Sequence, residues 1–175
     1  MRHYSNVAKS LLGLVTLVSA ASLGSTALEA EALVHVRAAS PAARLLIDEA
    51  ARDSPTVRDL IDHVDRSDVI VYVQMTGSPH VTSASTTLVA ATEGRRYLRV
   101  LIHAGIPAWN RAQLLAHELQ HVLEIASEPN VITDDDILSL YQRIGHSSGG
   151  KDRFETNAAK QIEEKVRGEI VHARR

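Results

Sequence analysis

The sequence of 175 residues predicts an α+β fold, in which helices pack on a small antiparallel sheet. Two Ser-Pro pairs begin apolar segments in the first third of the chain. Runs of β-branched residues occupy its middle, and stretches with helical periodicity fill its last third. Helices are therefore expected first, then strands, then helices again.

Two helices are predicted at the Ser-Pro pairs. Serine is a favoured N-cap, and proline is favoured at the first helical position because its fixed φ suits a helix and its missing N–H is not needed there. The pair at 40–41 predicts a helix that ends near Arg52, and the pair at 54–55 predicts a second helix that ends near Val64.

Three strands are predicted next. Residues 69–75 read Val-Ile-Val-Tyr-Val-Gln-Met, a run of the β-branched and aromatic side chains that favour strands. A loop over 77–85 is rich in Ser, Thr, Gly and Pro. The segments 86–91 and 96–103 then predict a hairpin that turns at Glu93-Gly94.

The longest predicted helix covers residues 111–127. Asn110 and Gln113 have the spacing of a capping box, Pro107 lies just upstream as a breaker, and the segment contains no Gly or Pro. Its apolar side chains recur at helical spacing and form one stripe, made of Ala112, Leu115, Leu119, Val122, Leu123 and Ala126.

Two further helices complete the predicted fold. Thr133 is expected to cap a helix over 134–144, which Gly145 ends. Asp152 is expected to cap a last helix that reaches about Val171.

The first 27 residues are predicted to be a signal peptide, so residues 28–175 are expected to form one exported domain, periplasmic or secreted. Arg2 and Lys9 precede an apolar run over 11–18, and small residues that end in Ser25-Thr26-Ala27 resemble a cleavage site. The alternative is an uncleaved anchor over 11–28, which is nearly long enough to span a bilayer. Only that alternative would place the protein at a membrane.

Composition narrows the classes of partner. The chain contains no cysteine, so disulfides and a lipoprotein anchor are excluded, and stability is expected from the core, a metal, or both. The net charge is −2, which becomes about −4 without the leader. No basic stripe or aromatic platform is present, so nucleic acid is not an expected partner. The oligomeric state is not determined by these features.

Within the longest helix, residues 117–121 read His-Glu-Leu-Gln-His. Residues four apart lie one turn apart on the same face, so His117 and His121 can bind one metal ion. Glu118 projects about 100° round the helix from His117, close enough to handle a metal-bound water without ligating the metal. It lies beside the apolar stripe, where a carboxylate is costly to desolvate unless something needs it. The alternative is a solvated polar face without a ligand.

The pentapeptide and its setting resemble the zincin metallopeptidases over residues 69–171, in a small exported protein of bacterial type. In that superfamily a short sheet lies beside the motif helix, and a third ligand comes from further along the chain. The sequence does not match the longer metzincin motif, H-E-x-x-H-x-x-G-x-x-H, because Glu124 and Ser127 occupy the positions of its glycine and third histidine. Residues 154–159, Phe-Glu-Thr-Asn-Ala-Ala, resemble instead the gluzincin pattern of a glutamate early on a later helix. That resemblance implies Glu155 as the third ligand.

Other interpretations of these residues stay open. Glu155 also has the spacing of a capping box with Asp152. His146 on a glycine-flanked loop and the aspartates 134–136 are alternative third ligands. The resemblance also makes His146, together with Tyr141, a candidate donor to an oxyanion. Glu124 lies about 10 Å along the axis from His117, so it is expected to be solvated or, as the alternative, to support a histidine.

The resemblance implies zinc-dependent hydrolysis of peptide bonds. Zinc held by His117, His121 and Glu155 would keep one position open for water, and Glu118 would take the proton as general base. The substrate would be a peptide or protein, which could lie as an added strand along 86–91. The alternatives are a non-catalytic exported binding domain that the same zinc stabilises, and an envelope interaction protein without a metal. Hydrolysis of another kind of amide also stays open.

Overall fold

Five helices and two sheets make up the described part of the chain, and the fold is α+β, as predicted. The computed structural model describes residues 34–81, 83–92, 94–147 and 154–175. The predicted signal peptide, Glu93 and Asp152 lie outside the described residues. No helix within those ranges is long and apolar enough to cross a membrane.

Helices α1 (Pro41–Asp53) and α2 (Pro55–Asp65) begin at the predicted Ser-Pro pairs. The hydroxyl oxygens of Ser40 and Ser54 each accept a hydrogen bond from the amide three residues further on, at 3.2 and 3.1 Å. These bonds satisfy amides that have no partner within the first turn of a helix. Both predicted caps are confirmed.

Four strands form one mixed sheet in the order β1-β2-β4-β3. They are β1 (Val36–Ala38), β2 (Val69–Thr76), β3 (Ala84–Thr92) and β4 (Arg95–His103). The last three match the predicted strands closely. Strand β1 was not predicted, because three residues are too few to show an alternating pattern.

The sheet, predicted to be antiparallel, is mixed. The β3–β4 hairpin is antiparallel, with Leu88 opposite Leu98, but β2 pairs in parallel with both β1 and β4. Strand β4 occupies an inner position because it supplies fully buried Leu98, Val100 and Ile102. Strand β3 consists largely of Ser, Thr and Ala. It therefore lies at the edge of the sheet, where its residues are partly or fully exposed to solvent.

Helix α3 (Ala108–Ala126) lies against the sheet and packs on α1, α2 and the last helix. It begins three residues before the predicted start, after Pro107, which provides no side-chain cap. The predicted capping box of Asn110 and Gln113 does not form, because both residues lie inside the helix. The Gln113 side chain instead accepts a hydrogen bond from Arg167 at 2.9 Å.

Helices α4 (Asp134–Ile144) and α5 (Asn157–Ala173) flank a short antiparallel pair, β5 (His146–Ser147) and β6 (Phe154–Glu155). Thr133 caps α4 as predicted. It forms a complete capping box with the first turn. The Thr133 hydroxyl oxygen accepts from the Asp136 amide, and the Asp136 carboxylate accepts from the Thr133 amide.

The last helix begins later than predicted. Thr156 caps it, because its hydroxyl oxygen accepts from the amide of Ala159 at 3.1 Å. Asp152, the predicted cap, lies outside the described residues. Glu155 lies in β6, opposite His146, rather than in the first turn of a helix. Glu155 therefore does not occupy the third helical position that the alternative capping box with Asp152 assigned to it.

Gly145 ends α4 where the chain passes close to its own backbone. A Cβ at this position would lie 2.8 Å from the carbonyl oxygen of Tyr141 and 3.1 Å from that of Glu155. Glycine thus lets β5 pair with the strand that carries Glu155 without a backbone shift.

A buried arginine joins the sheet to the C-terminal end of α3. Arg96 is 3% exposed and donates two hydrogen bonds to the Asp68 carboxylate, at 2.7 and 2.8 Å. Its guanidinium also donates to four carbonyl oxygens at and beyond the end of α3, those of Ile125, Ala126, Glu128 and Val131. The charge is suited to this position because the carbonyl end of a helix carries a partial negative charge.

We expect Arg96→Lys to lower the free energy of unfolding by about 3 kcal/mol, because a lysine cannot reproduce the fork of donors and leaves buried carbonyls without partners. Urea unfolding measures the change. Arg99→Lys, at an exposed position on the same strand, is the control and should change stability by less than about 0.5 kcal/mol. Equal effects of the two variants would contradict the assigned role.

We expect Asp68 to make stability depend on acid pH. The hydrogen bonds from Arg96 hold the pKa of Asp68 below its ordinary value. The stabilisation is therefore complete above the unfolded-state pKa of about 4 and is lost as pH falls through the folded-state value. Unfolding curves between pH 7 and pH 2 should show that the free energy of unfolding falls less for Asp68→Asn than for the wild type. An equal decrease in the two proteins would refute the assignment.

Candidate metal centre

Two histidines on α3 direct their Nε2 atoms at one another. The Nε2 atoms of His117 and His121 are 3.1 Å apart, and the rings meet edge to face with centroids 4.8 Å apart. Both residues are buried, at 6% and 7% exposure. The alternative of a solvated polar face is therefore wrong, because α5 packs over this side of α3.

Glu155 completes a candidate metal-binding triad with the two histidines. Its Oε2 lies 3.1 Å from His117 Nε2, and one donor atom from each of the three residues lies within 4.8 Å of the others. Tetrahedral coordination with bonds of about 2.0 Å places neighbouring donors about 3.3 Å apart. The spacing therefore fits one ion. Within the described ranges this is the one group of three or more acidic or histidine side chains with such geometry.

Each imidazole has a carboxylate at its other nitrogen. His117 Nδ1 is 3.1 Å from Glu163 Oε2, and His121 Nδ1 is 2.8 Å from Glu124 Oε2. A carboxylate accepts hydrogen bonds, so each of these carboxylates favours a proton on Nδ1, which in a neutral imidazole leaves the Nε2 lone pair available to a metal ion. The expectation that Glu124 is solvated is wrong. Its side chain is 10% exposed, and the hydroxyl of Thr156 donates to it at 2.6 Å.

The charges around the triad favour a cation at the point that its donors share. Burial alone would lower the pKa of His117, but the hydrogen bond with Glu155 and the nearby Glu118 carboxylate raise it above its ordinary value. The same hydrogen bond lowers the pKa of Glu155. Both shifts show that this cluster favours positive charge beside Glu155, which a metal ion would also supply.

Glu118 lies beside the triad and is buried, at 6% exposure. Its Oε2 accepts a hydrogen bond from Thr86 on β3 at 2.7 Å, which offsets part of the desolvation cost. Burial raises the pKa of Glu118, against the opposing effect of His121. Glu118 is thus separate from the candidate ligand set.

A cleft of about 600 Å³ opens onto these residues. Glu118, His121 and Glu155 form its floor. One wall is the strand β3, and the other includes α4 with Ile137, Leu138 and Tyr141. His80, on the loop before β3, also lines the cleft and was not singled out from the sequence.

Of the two candidate donors to an oxyanion, Tyr141 lines the cleft and His146 does not. Tyr141 lines the cleft, but its hydroxyl donates to the backbone oxygen of His121 at 3.2 Å, and its ring packs edge to face on the His121 ring. His146 is exposed and does not line the cleft, because its ring turns to Lys160, whose Nζ is 3.0 Å from Nε2. The structure thus does not bring His146 to the site.

The aspartates at 134–136 are not brought to the triad either. Asp134 and Asp135 line the cleft at the start of α4, and Asp136 is bound in the capping box. Three supporting residues, Thr86, Thr156 and Glu163, were missed from the sequence. No local signal identifies them, because each meets α3 only through tertiary packing.

Comparisons with protein-family models, curated proteins and solved structures find no match to this chain. The function must therefore be inferred from the site alone.

We expect Glu155→Ala to lower Zn²⁺ affinity by more than the roughly 10–100-fold typical of residues that only support a ligand. Competition with a chromophoric chelator measures the dissociation constant. His146→Ala, which removes a rejected ligand, should leave the affinity unchanged. The opposite ranking of the two variants would place the third ligand at His146.

Proposed function

We propose that this protein is an exported, zinc-dependent peptidase in which Glu118 is the general base. The proposal depends on one observation: two imidazole nitrogens and the Glu155 carboxylate converge beside a buried glutamate, on the floor of a cleft. It also retains the likeness to the gluzincin branch of the zincins, with the difference that Glu155 precedes the last helix.

The donor set suits zinc. Two imidazoles and one carboxylate from the protein are typical of hydrolytic zinc sites, where a further position stays open. His117, His121 and Glu155 would hold the ion. Bound there, zinc would act as a Lewis acid, which lowers the pKa of water and polarises a carbonyl oxygen.

Glu118 would move the proton. Its raised pKa, caused by burial, brings the carboxylate closer to the range in which a group can both accept and donate a proton near neutral pH. It would accept a proton from the attacking water as the new carbon–oxygen bond forms. It would then donate that proton to the amide nitrogen as the carbon–nitrogen bond breaks. Thr86 orients the carboxylate by its hydrogen bond.

The edge strand β3 supports a peptide as the substrate. Residues 83–87 line the cleft, and an extended peptide can add to an exposed edge through backbone hydrogen bonds. The regular register of β3 is interrupted between Leu88 and Ala90. A bulge bends a strand and disturbs its pairing, so we propose that the binding edge ends near Leu88.

We expect Glu118→Gln to retain zinc and to lower the rate of peptide hydrolysis by about 10²–10⁴-fold, because glutamine cannot accept the proton. His121→Ala should lose both zinc and activity. Fluorogenic peptide libraries and metal analysis of the purified protein measure the two properties.

Glu164→Gln, the same substitution at an exposed position on α5, is the control and should retain both properties. Zinc lost from Glu118→Gln, or full activity retained by it, would contradict the role of Glu118. Stoichiometric zinc without hydrolysis of any peptide would favour the alternative of a zinc-stabilised binding domain.

A further inference from the structure

A carboxylate on the last helix belongs to a hydrogen-bond network that joins α5 to α3. Glu163 accepts from His117 Nδ1 at 3.1 Å through one oxygen, and its other oxygen lies 3.4 Å from the Arg167 guanidinium. Arg167 Nε in turn donates to Gln113 at 2.9 Å, and Gln113 is 3% exposed on α3. Glu163 is thus held in place by both helices.

A second hydrogen-bond network supports His121. Glu124 accepts from His121 Nδ1 at 2.8 Å and from the Thr156 hydroxyl at 2.6 Å. Thr156 is 3% exposed, caps α5 and directly follows Glu155. The residue that fixes the start of α5 therefore also fixes the carboxylate behind His121.

We propose that Glu163 and the Glu124–Thr156 pair are positioning residues, which favour a proton on Nδ1 of both imidazoles and keep each Nε2 facing the point that His117, His121 and Glu155 share. This inference rests on the metal site of the proposed function. A neutral imidazole has one N–H, so an acceptor at Nδ1 selects the tautomer, and an anionic acceptor also makes Nε2 a stronger donor to a metal. Two of the three residues belong to α5 or its cap, so metal affinity depends on the docking of α5.

The test compares Glu163→Ala with Glu163→Gln. We expect the alanine variant to lower Zn²⁺ affinity about 10–100-fold and the glutamine variant to lower it less, because the amide oxygen still accepts the Nδ1 proton but carries no charge. Glu164→Ala, at the adjacent exposed position, should retain wild-type affinity. Chelator competition gives the affinities, and circular dichroism reports whether each variant is folded.

The imidazole tautomer provides a readout that needs no metal. Glu155→Ala removes the carboxylate that competes for Nε2. At a pH at which His117 is neutral, nitrogen-15 NMR of the metal-free Glu155→Ala protein should show the proton on Nδ1, and adding Glu163→Ala should give a mixture of tautomers. A purely structural role would lower the melting temperature without this change.

The role of Thr156 is tested by substitution, with the loss of another helix cap as the control. Thr156→Ser keeps the hydroxyl and should retain zinc affinity, whereas Thr156→Val should lower it. Ser40→Ala removes the cap of α1, at a comparable cost of about 1 kcal/mol, and should leave zinc affinity unchanged.

The outcomes separate this inference from the proposed activity. Unchanged zinc affinity in Glu163→Ala and unchanged tautomers when it is added to Glu155→Ala, beside a wild type that binds zinc, would overturn the positioning role alone. A wild type that binds zinc but hydrolyses no peptide would overturn only the activity. A wild type that binds no zinc would overturn both.

Discussion

The docking of β6 and α5 against α3 is the contact on which the candidate site depends. Without it the two histidines would lie on the solvated side of an amphipathic helix. Val166 and Ile170 of α5 join the core that α3 shares with the sheet, and fully buried Ala159 lies at the start of the same face. Apolar burial thus brings into place the segment that also carries Glu155, Thr156 and Glu163.

Electrostatics explains why this docking favours an ion. Four carboxylates, those of Glu118, Glu124, Glu155 and Glu163, surround two imidazoles in a largely buried space. Three of them have hydrogen-bond donors in Thr86, Thr156 and Arg167. Glu155 faces the Nε2 atoms of the histidine pair, and a cation at that point would balance its negative charge. The proposed zinc would supply that balance.

Local signals in the sequence predicted the helices and strands well. Ser40, Ser54 and Thr133 cap helices where the pattern places them, since a cap requires only a few consecutive residues. The sheet order was not predictable in this way. Whether β4 lies beside β2 or outside β3 depends on which strand buries more apolar surface against α3, and the alternation within each strand is the same in either arrangement.

The sequence by itself predicted an H-E-x-x-H helix with both imidazoles on one of its faces, and it made Glu155 one of several candidates for a third ligand. Tertiary structure decided the rest. It placed Glu155 in a strand before the helix, turned His146 to Lys160, and converted Glu124 from an expected solvated residue into a partner of His121. Helical periodicity relates residues within one segment, whereas these contacts join segments whose separation along the chain carries no geometric information.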